Sequence, residues 1–154
     1  MIETVLEAAR LAPSACNRQP WRFAMVTDPA RRARLVSEGF RPGLGMKWAA
    51  AAPVLLVLGM KRSLVTHRLA PVLTGVDYPL LDLGIAGEHA VLQAAALGLG
   101  TCWIGWISPR SVRRIVGWPD SILPQAVIAL GWPDGAADGA STRLPPEEIA
   151  TWLV

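Results

Sequence analysis

The chain has 154 residues, enough for one ordinary domain and short for two. Hydrophobic residues make up 52% and charged residues 18%, which excludes a disordered chain, because disorder needs low hydrophobicity and high net charge. The net charge is only +3 and the basic residues are scattered rather than striped, which argues against a nucleic-acid partner, while so sparse a charge cover points to apolar surface meeting a partner subunit.

In chain order, Ile2, Val5, Leu6 and Ala9 are spaced by three and four and predict an amphipathic helix that stops near Ala12, ahead of Pro13. Large apolar residues at 21, 23 and 25 predict a strand over Trp21 to Thr27. Asp28-Pro29 reads as a helix start, with Arg31, Arg32 and Arg34 forming a solvated face. The glycines and proline of Gly39 to Lys47 make a loop. Pro53 to Gly59 (PVLLVLG) reads as a central, buried strand. Lys61 to Asp77 has no clear period and is expected to be a loop or short helix over a site.

Tyr78 to Gly98 is helical in period and rich in small residues, so it is expected to be central and closely packed, ending at Gly98 and Gly100. Thr101 to Ile107 reads as a strand, Ser108-Pro109 starts a helix, and Gln125 to Trp132 is the last clear strand. Glu147 to Leu153 reads as a terminal helix or arm. No repeat or linker divides the chain, so residues 1–154 are expected to form a single domain of α/β or α+β class.

Cys16 and Cys102 lack metal or redox spacing and are expected to be reduced thiols of a cytoplasmic protein. Met1 leads straight into an amphipathic stretch, so no basic-then-apolar leader is expected. Its longest nearly charge-free run, Trp48 to Met60, is too short to span a bilayer. No membrane partner is therefore expected. His67 and His89 lack partners at metal spacing, so no metal is expected, and Cys102 reads as an inert core thiol. Seven of ten aromatic residues are tryptophan, and Trp48, Trp106 and Trp152 lie where a small domain struggles to cover them.

Two strings carry chemistry. In LAPSACNRQPWRF (11–23), Ser14, Asn17 and Gln19 are short polar groups that either read the edge of a flat heteroaromatic ligand or simply close a turn. In GLGTCWIG (98–105), the glycines either let backbone amides approach a ligand or cap a helix before a buried strand. The second string is not a dinucleotide fingerprint, because it lacks the third glycine and ends a helix rather than opening one.

Together APSACNRQPWRF, AMVTDP, APVLLVLG, DLGIAGEHAVLQAAALGLGTCWIG and VIALGWPD, in that order from Ile2 to Trp152, resemble the FMN-dependent nitroreductase family. The resemblance implies an α+β fold of three layers, with a mainly antiparallel central sheet flanked by helices, forming an intertwined homodimer with FMN at the interface. It implies hydride transfer from NADH or NADPH to the flavin, then to a nitro compound, quinone or similar acceptor. By position, the Pro13, Ser14, Asn17 and Gln19 loop would meet the flavin or its ribityl chain. Trp103, Ile104 and Gly105 would lie along the isoalloxazine, with a backbone N–H near N5. In STRLPPEE, Arg143 falls on the family's phosphate-binding arginine and is otherwise a solvated tail residue. No catalytic side chain is implied, because the flavin carries the chemistry.

The resemblance also implies an RRSxR segment ahead of the first helix, and no such pattern stands near Met1; PRSVR (109–113) lies elsewhere and does not replace it. Two missing charge-assisted contacts would weaken FMN binding about a hundredfold or more. The alternatives are a protein of the same fold that has lost FMN and acts as a binding module, or an unrelated small ligand-binding domain.

Overall fold

The computed structural model describes residues 1–61, 70–135 and 142–153. His67 and the rest of residues 62–69, within the stretch that lacks a clear period, lie outside the described residues. Four strands form one antiparallel sheet in the order β1-β2-β4-β3, with β1 at Trp21–Val26, β2 at Val54–Lys61, β3 at Gly100–Ile104 and β4 at Ile122–Gly131. Six α-helices among the described residues accompany them: α1 Ile2–Arg10, α2 Pro29–Arg34, α3 Ala70–Thr74, α4 Tyr78–Ala96, α5 Pro109–Val116 and α6 Pro146–Ile149.

Strand β2 is buried from Val54 to Met60 because helices cover both faces of the sheet. Leu56 and Leu58 face one core with Val5 and Ala9 of α1 and Leu83, Ala86, Ala90 and Ala94 of α4. Leu55 and Val57 face a second core with Leu35, Phe40, and Val112 and Ile115 of α5. The alternation along a single strand thus divides the molecule into three layers. The α+β expectation is met: a central antiparallel sheet lies between helical layers.

The last strand begins three residues earlier than its apolar run suggests. Pro124, which lacks an N–H, sits opposite Gly59 where the β2–β4 register shifts between Leu58 and Gly59, so the irregularity accommodates it. Gly59 is required there: a Cβ would lie 2.4 Å from Cζ3 of Trp118. Strand β3 is shorter than its pattern suggests, and Ile107 instead forms an isolated bridge with Phe40.

The helix opened by Asp28-Pro29 forms as its cap predicts, with the Arg31 N–H donating to Asp28 Oδ1 (2.8 Å). Its arginines are not all a solvated face. Arg32 folds back, its Nε donating to Thr27 O (3.3 Å) and its Nη1 to the carbonyls of Ala50 and Ala52. The helix runs on into a π-turn, Leu35–Gly39.

On that turn the Glu38 carboxylate accepts from Arg34 Nε (3.0 Å) and from Arg114 Nη2 on α5 (2.9 Å). The Arg34 hydrogen bond, together with the charges of Arg34 and Arg114, holds the Glu38 carboxyl below the usual carboxylate range. A lowered folded-state pKa favours folding when the group is ionised. The contribution is therefore present above the ordinary carboxylate range and lost as pH falls through the lowered value; at this exposed site it is small. An NMR titration should place the Glu38 midpoint below that of a free glutamate, and Arg34→Gln should move it upward. No movement would discard the ion pair as its cause.

Candidate functional site

After α1 the chain enters the loop 13–20 through Ser14, makes a 3₁₀ turn at Ala15–Asn17, and places Cys16, Asn17 and Gln19 at φ of 50°, 53° and 48°. Three non-glycine residues in the left-handed region form a costly backbone that local structure must hold. The holding bonds are specific. Ala15 N–H donates to Oδ1 of the buried Asp82 on α4 (3.0 Å), and Gln19 N–H donates to Ser14 Oγ (3.0 Å). Gln19 Nε2 donates to Asn17 Oδ1 (2.8 Å), and Arg22 Nη1 donates to the carbonyl of Trp21 (2.6 Å). Lys61 N–H donates to Pro20 O (2.8 Å), tying the loop's exit to the end of β2. Asn17 Nδ2 and Gln19 Oε1 are exposed and make no hydrogen bond among the described residues.

The second string closes α4 with Gly98 at φ 77°, a left-handed cap in which Leu99 N–H donates to Ala94 O (2.9 Å). Along β3 the side chains alternate. Trp103 lies on the α4 side, against Gly87, and remains 41% exposed. The Ile104 side chain is buried in the α5-side core, so only its backbone can face a ligand on the Trp103 side. Gly105 is exposed, and a Cβ built there meets nothing within 4 Å.

The second string runs from the far end of the sheet, where Gly100 pairs with Gly131, to the middle of β4, whereas the first enters at the other end. Trp21 pairs with Met60 and Met60 with Leu123 of β4, while β3 ends where Ile104 pairs with Val127. Helix α4 joins them: Asp82 anchors the first string and Gly87 receives the ring of the second, five residues or about 7.5 Å further along the axis. Between them Gly84 is exposed and without close neighbours.

Of the eight residues singled out from sequence, Trp103 packs directly on α4, and the loop carrying Pro13, Ser14, Asn17 and Gln19 is tied to it through Ala15 and Asp82, whereas Ile104 is buried on the α5 side and Gly105 is exposed. Arg143 is placed differently, in the exposed segment before α6, with Nη1 donating to Thr142 O (3.1 Å). Helix α6 makes no substantial contact with the other described elements. Sequence reasoning missed Asp82 and Gly87. An acid in an otherwise apolar helical stripe was the available signal for the first, and nothing marked which glycine would take a ring.

Cys102 is exposed, which corrects its reading as a core thiol. Strand β3 is the sheet edge, and the cysteine lines a shallow cavity of about 340 Å³ with Trp48 and Trp132. Both cysteines are free. His89 Nδ1 lies 3.1 Å from Ile85 O within its own helix. A concavity of about 840 Å³ between Phe40, Arg41 and Met46 contains none of the eight residues. The candidate site is an open strip rather than an enclosed pocket.

The chain is similar in sequence and fold to known proteins. The nitroreductase family model matches residues 1–41 and 37–132. An "NADH dehydrogenase" of Thermus thermophilus is 30% identical, the alignment covering 99% of this chain and 84% of that protein. An "FMN reductase [NAD(P)H]" of Bacillus subtilis is 27% identical over 96% of this chain and 62% of its own length. The crystal structure of a nitroreductase family protein from Streptococcus pneumoniae superposes with a TM-score of 0.82 at 25% identity, covering 99% of this chain and 88% of the other. The chain belongs to the nitroreductase family.

Proposed function

We propose that the protein is an FMN-dependent NAD(P)H oxidoreductase that acts as a homodimer and reduces a nitro compound, a quinone or a similar small acceptor. The observation that carries this reading is the attachment of both motif strings to α4, through Asp82 and Gly87. The residues present fit a flat, amide-edged cofactor. The strip between the strings is open at Gly84 and Gly105, Trp103 supplies a half-exposed aromatic wall, and Asn17 Nδ2 and Gln19 Oε1 offer a donor and an acceptor. When bound there, FMN supplies two-electron transfer between the nicotinamide and the acceptor. The chain's own share is positioning. The loop 13–20 would hold the polar edges, Trp103 would offer an aromatic surface, and Gly105 leaves its backbone accessible. Arg143 is the proposed phosphate partner, through its planar fork.

The same helix supports the dimer reading. α4 buries Leu83, Ala86, Ala90 and Ala94 inward, yet also presents Leu80, Leu81 and Leu92 outward. A helix apolar on both sides needs a second cover. A homodimer through this face would close the strip between two protomers and shield it from water.

Titrating the purified protein with FMN should give saturable quenching of flavin fluorescence. No spectral change at about 100 μM FMN would overturn the cofactor reading and leave the protein a binding module of this fold. In sedimentation the wild type should be a dimer, and Leu81→Glu combined with Leu92→Glu should give monomers that bind FMN at least about tenfold more weakly. A monomeric wild type at about 100 μM would reject the dimer.

A further inference from the structure

We propose that a recess at the start of α5, on the opposite side of the sheet from α4, is a binding site for a phosphate group. The recess has a volume of about 510 Å³ and is lined by Arg41, Ser108, Pro109, Arg110, Arg113 and Leu123. Three arginines line it and no acidic residue does. Elsewhere on the described surface, Arg10, Arg34 and Arg114 each pair with a glutamate.

Two of the three arginines are held in place. Arg41 donates its backbone N–H to Trp106 O (2.9 Å) and its Nε to Ile107 O (2.9 Å), and its guanidinium lies 5.8 Å from the centre of the Trp106 ring. That ring is itself fixed by Nε1 donating to Pro42 O (2.9 Å). Both terminal nitrogens of Arg41 are left without a hydrogen bond among the described residues. The Arg113 side chain is 24% exposed and forms an ion pair with Asp120 (2.7 Å), whose own side chain is 92% exposed and lies outside the lining. Arg110, on the first turn of α5, has no ion pair or side-chain hydrogen bond among the described residues.

The N-terminus of α5 adds to the same field. Ser108 makes no side-chain cap; its hydroxyl donates to Ser111 Oγ instead (3.2 Å), so the first-turn amides keep their partial positive charge. Arg113 has a counter-charge in the exposed Asp120, whereas Arg41 and Arg110 have none among the described residues, and a dianion would relieve their repulsion while accepting from several forks at once. A phosphate monoester offers three acceptor oxygens and up to two charges, where a carboxylate offers two oxygens and one. Two sources share this chemistry: the 2′-phosphate of NADPH, and a free phosphorylated small molecule.

The test uses inorganic phosphate as the probe, at constant ionic strength, with binding read by calorimetry. The wild type should bind phosphate saturably below about 10 mM, and Arg110→Gln and Arg113→Gln should each weaken binding at least about tenfold. Arg110 has no side-chain partner among the described residues, so Arg110→Gln should leave the melting temperature unmoved. Absence of saturable binding in the wild type, or equal affinity in both variants, would overturn the site. A second measurement separates the sources and rests on the oxidoreductase reading, whereas the phosphate titration does not. A tenfold fall in the NADPH/NADH preference of Arg110→Gln assigns the recess to the 2′-phosphate, and an unchanged preference with lost phosphate affinity assigns it to a free phosphorylated molecule.

Discussion

Gly87→Ala is expected to destabilise the protein by about 1–3 kcal/mol, or to expel the Trp103 ring from its seat. The added Cβ would lie 2.2 Å and 2.6 Å from ring carbons of Trp103 and 2.8 Å from Cδ2 of Leu58. No real Cβ tolerates such distances. Leu58 is fully buried in the α4-side core, so it cannot retreat without disturbing its neighbours. The half-exposed Trp103 can swing outward, and then the wall of the proposed flavin site is lost. Chemical denaturation should therefore show a lower midpoint or, if the ring moves instead, tryptophan emission should shift to the red and FMN affinity should fall. Gly84→Ala, three residues earlier on the same helix, is the matched control. A Cβ there meets nothing within 4 Å, and replacing glycine in a helix by alanine should stabilise by about 0.5–1 kcal/mol. If Gly87→Ala behaves like Gly84→Ala, the packing of Trp103 on α4 is wrong.

Asp82→Ala should cost about 1.5–3 kcal/mol, through a lost hydrogen bond to a charged acceptor and an amide left without a partner. The carboxylate is 4% exposed and accepts the Ala15 N–H that opens the 3₁₀ turn. The turn carries the left-handed Cys16 and Asn17, with Gln19 just beyond, and such backbone persists only where its surroundings enforce it. Removing the anchor should therefore loosen 13–20 more than the rest of the molecule. Hydrogen exchange should accelerate across 15–19 while the amides of β2 stay protected. Asp82→Asn keeps an acceptor oxygen and should recover most of the loss. Uniform destabilisation, with no preferential loosening of 13–20, would remove Asp82 from its positioning role.

These two residues mark the boundary of what the chain reveals when read linearly. The strands at Trp21 and Pro53, the cap at Asp28 and the long helix from Tyr78 were all legible, because each depends on period or on local hydrogen bonding. The two motif strings were legible for the same reason. Polar turn residues followed by a strand, and glycines closing a helix, are local patterns. Three features were not. Strand β4 reaches back past Pro124 because β2 supplies a partner with a register shift. Arg32 leaves its helix face because three carbonyls await it. Cys102 is exposed because β3 falls at the edge of the sheet.

Length and composition set the expectation of one domain with surplus apolar surface, and the ordered motif strings pointed to the family. Which glycine receives a tryptophan, which acid holds the strained loop, and which arginines share a recess were decided only by tertiary structure. Each is a contact between residues remote in sequence, such as Ala15 with Asp82 and Arg41 with Ile107. Helical and strand periods report which face is buried, but not what that face meets.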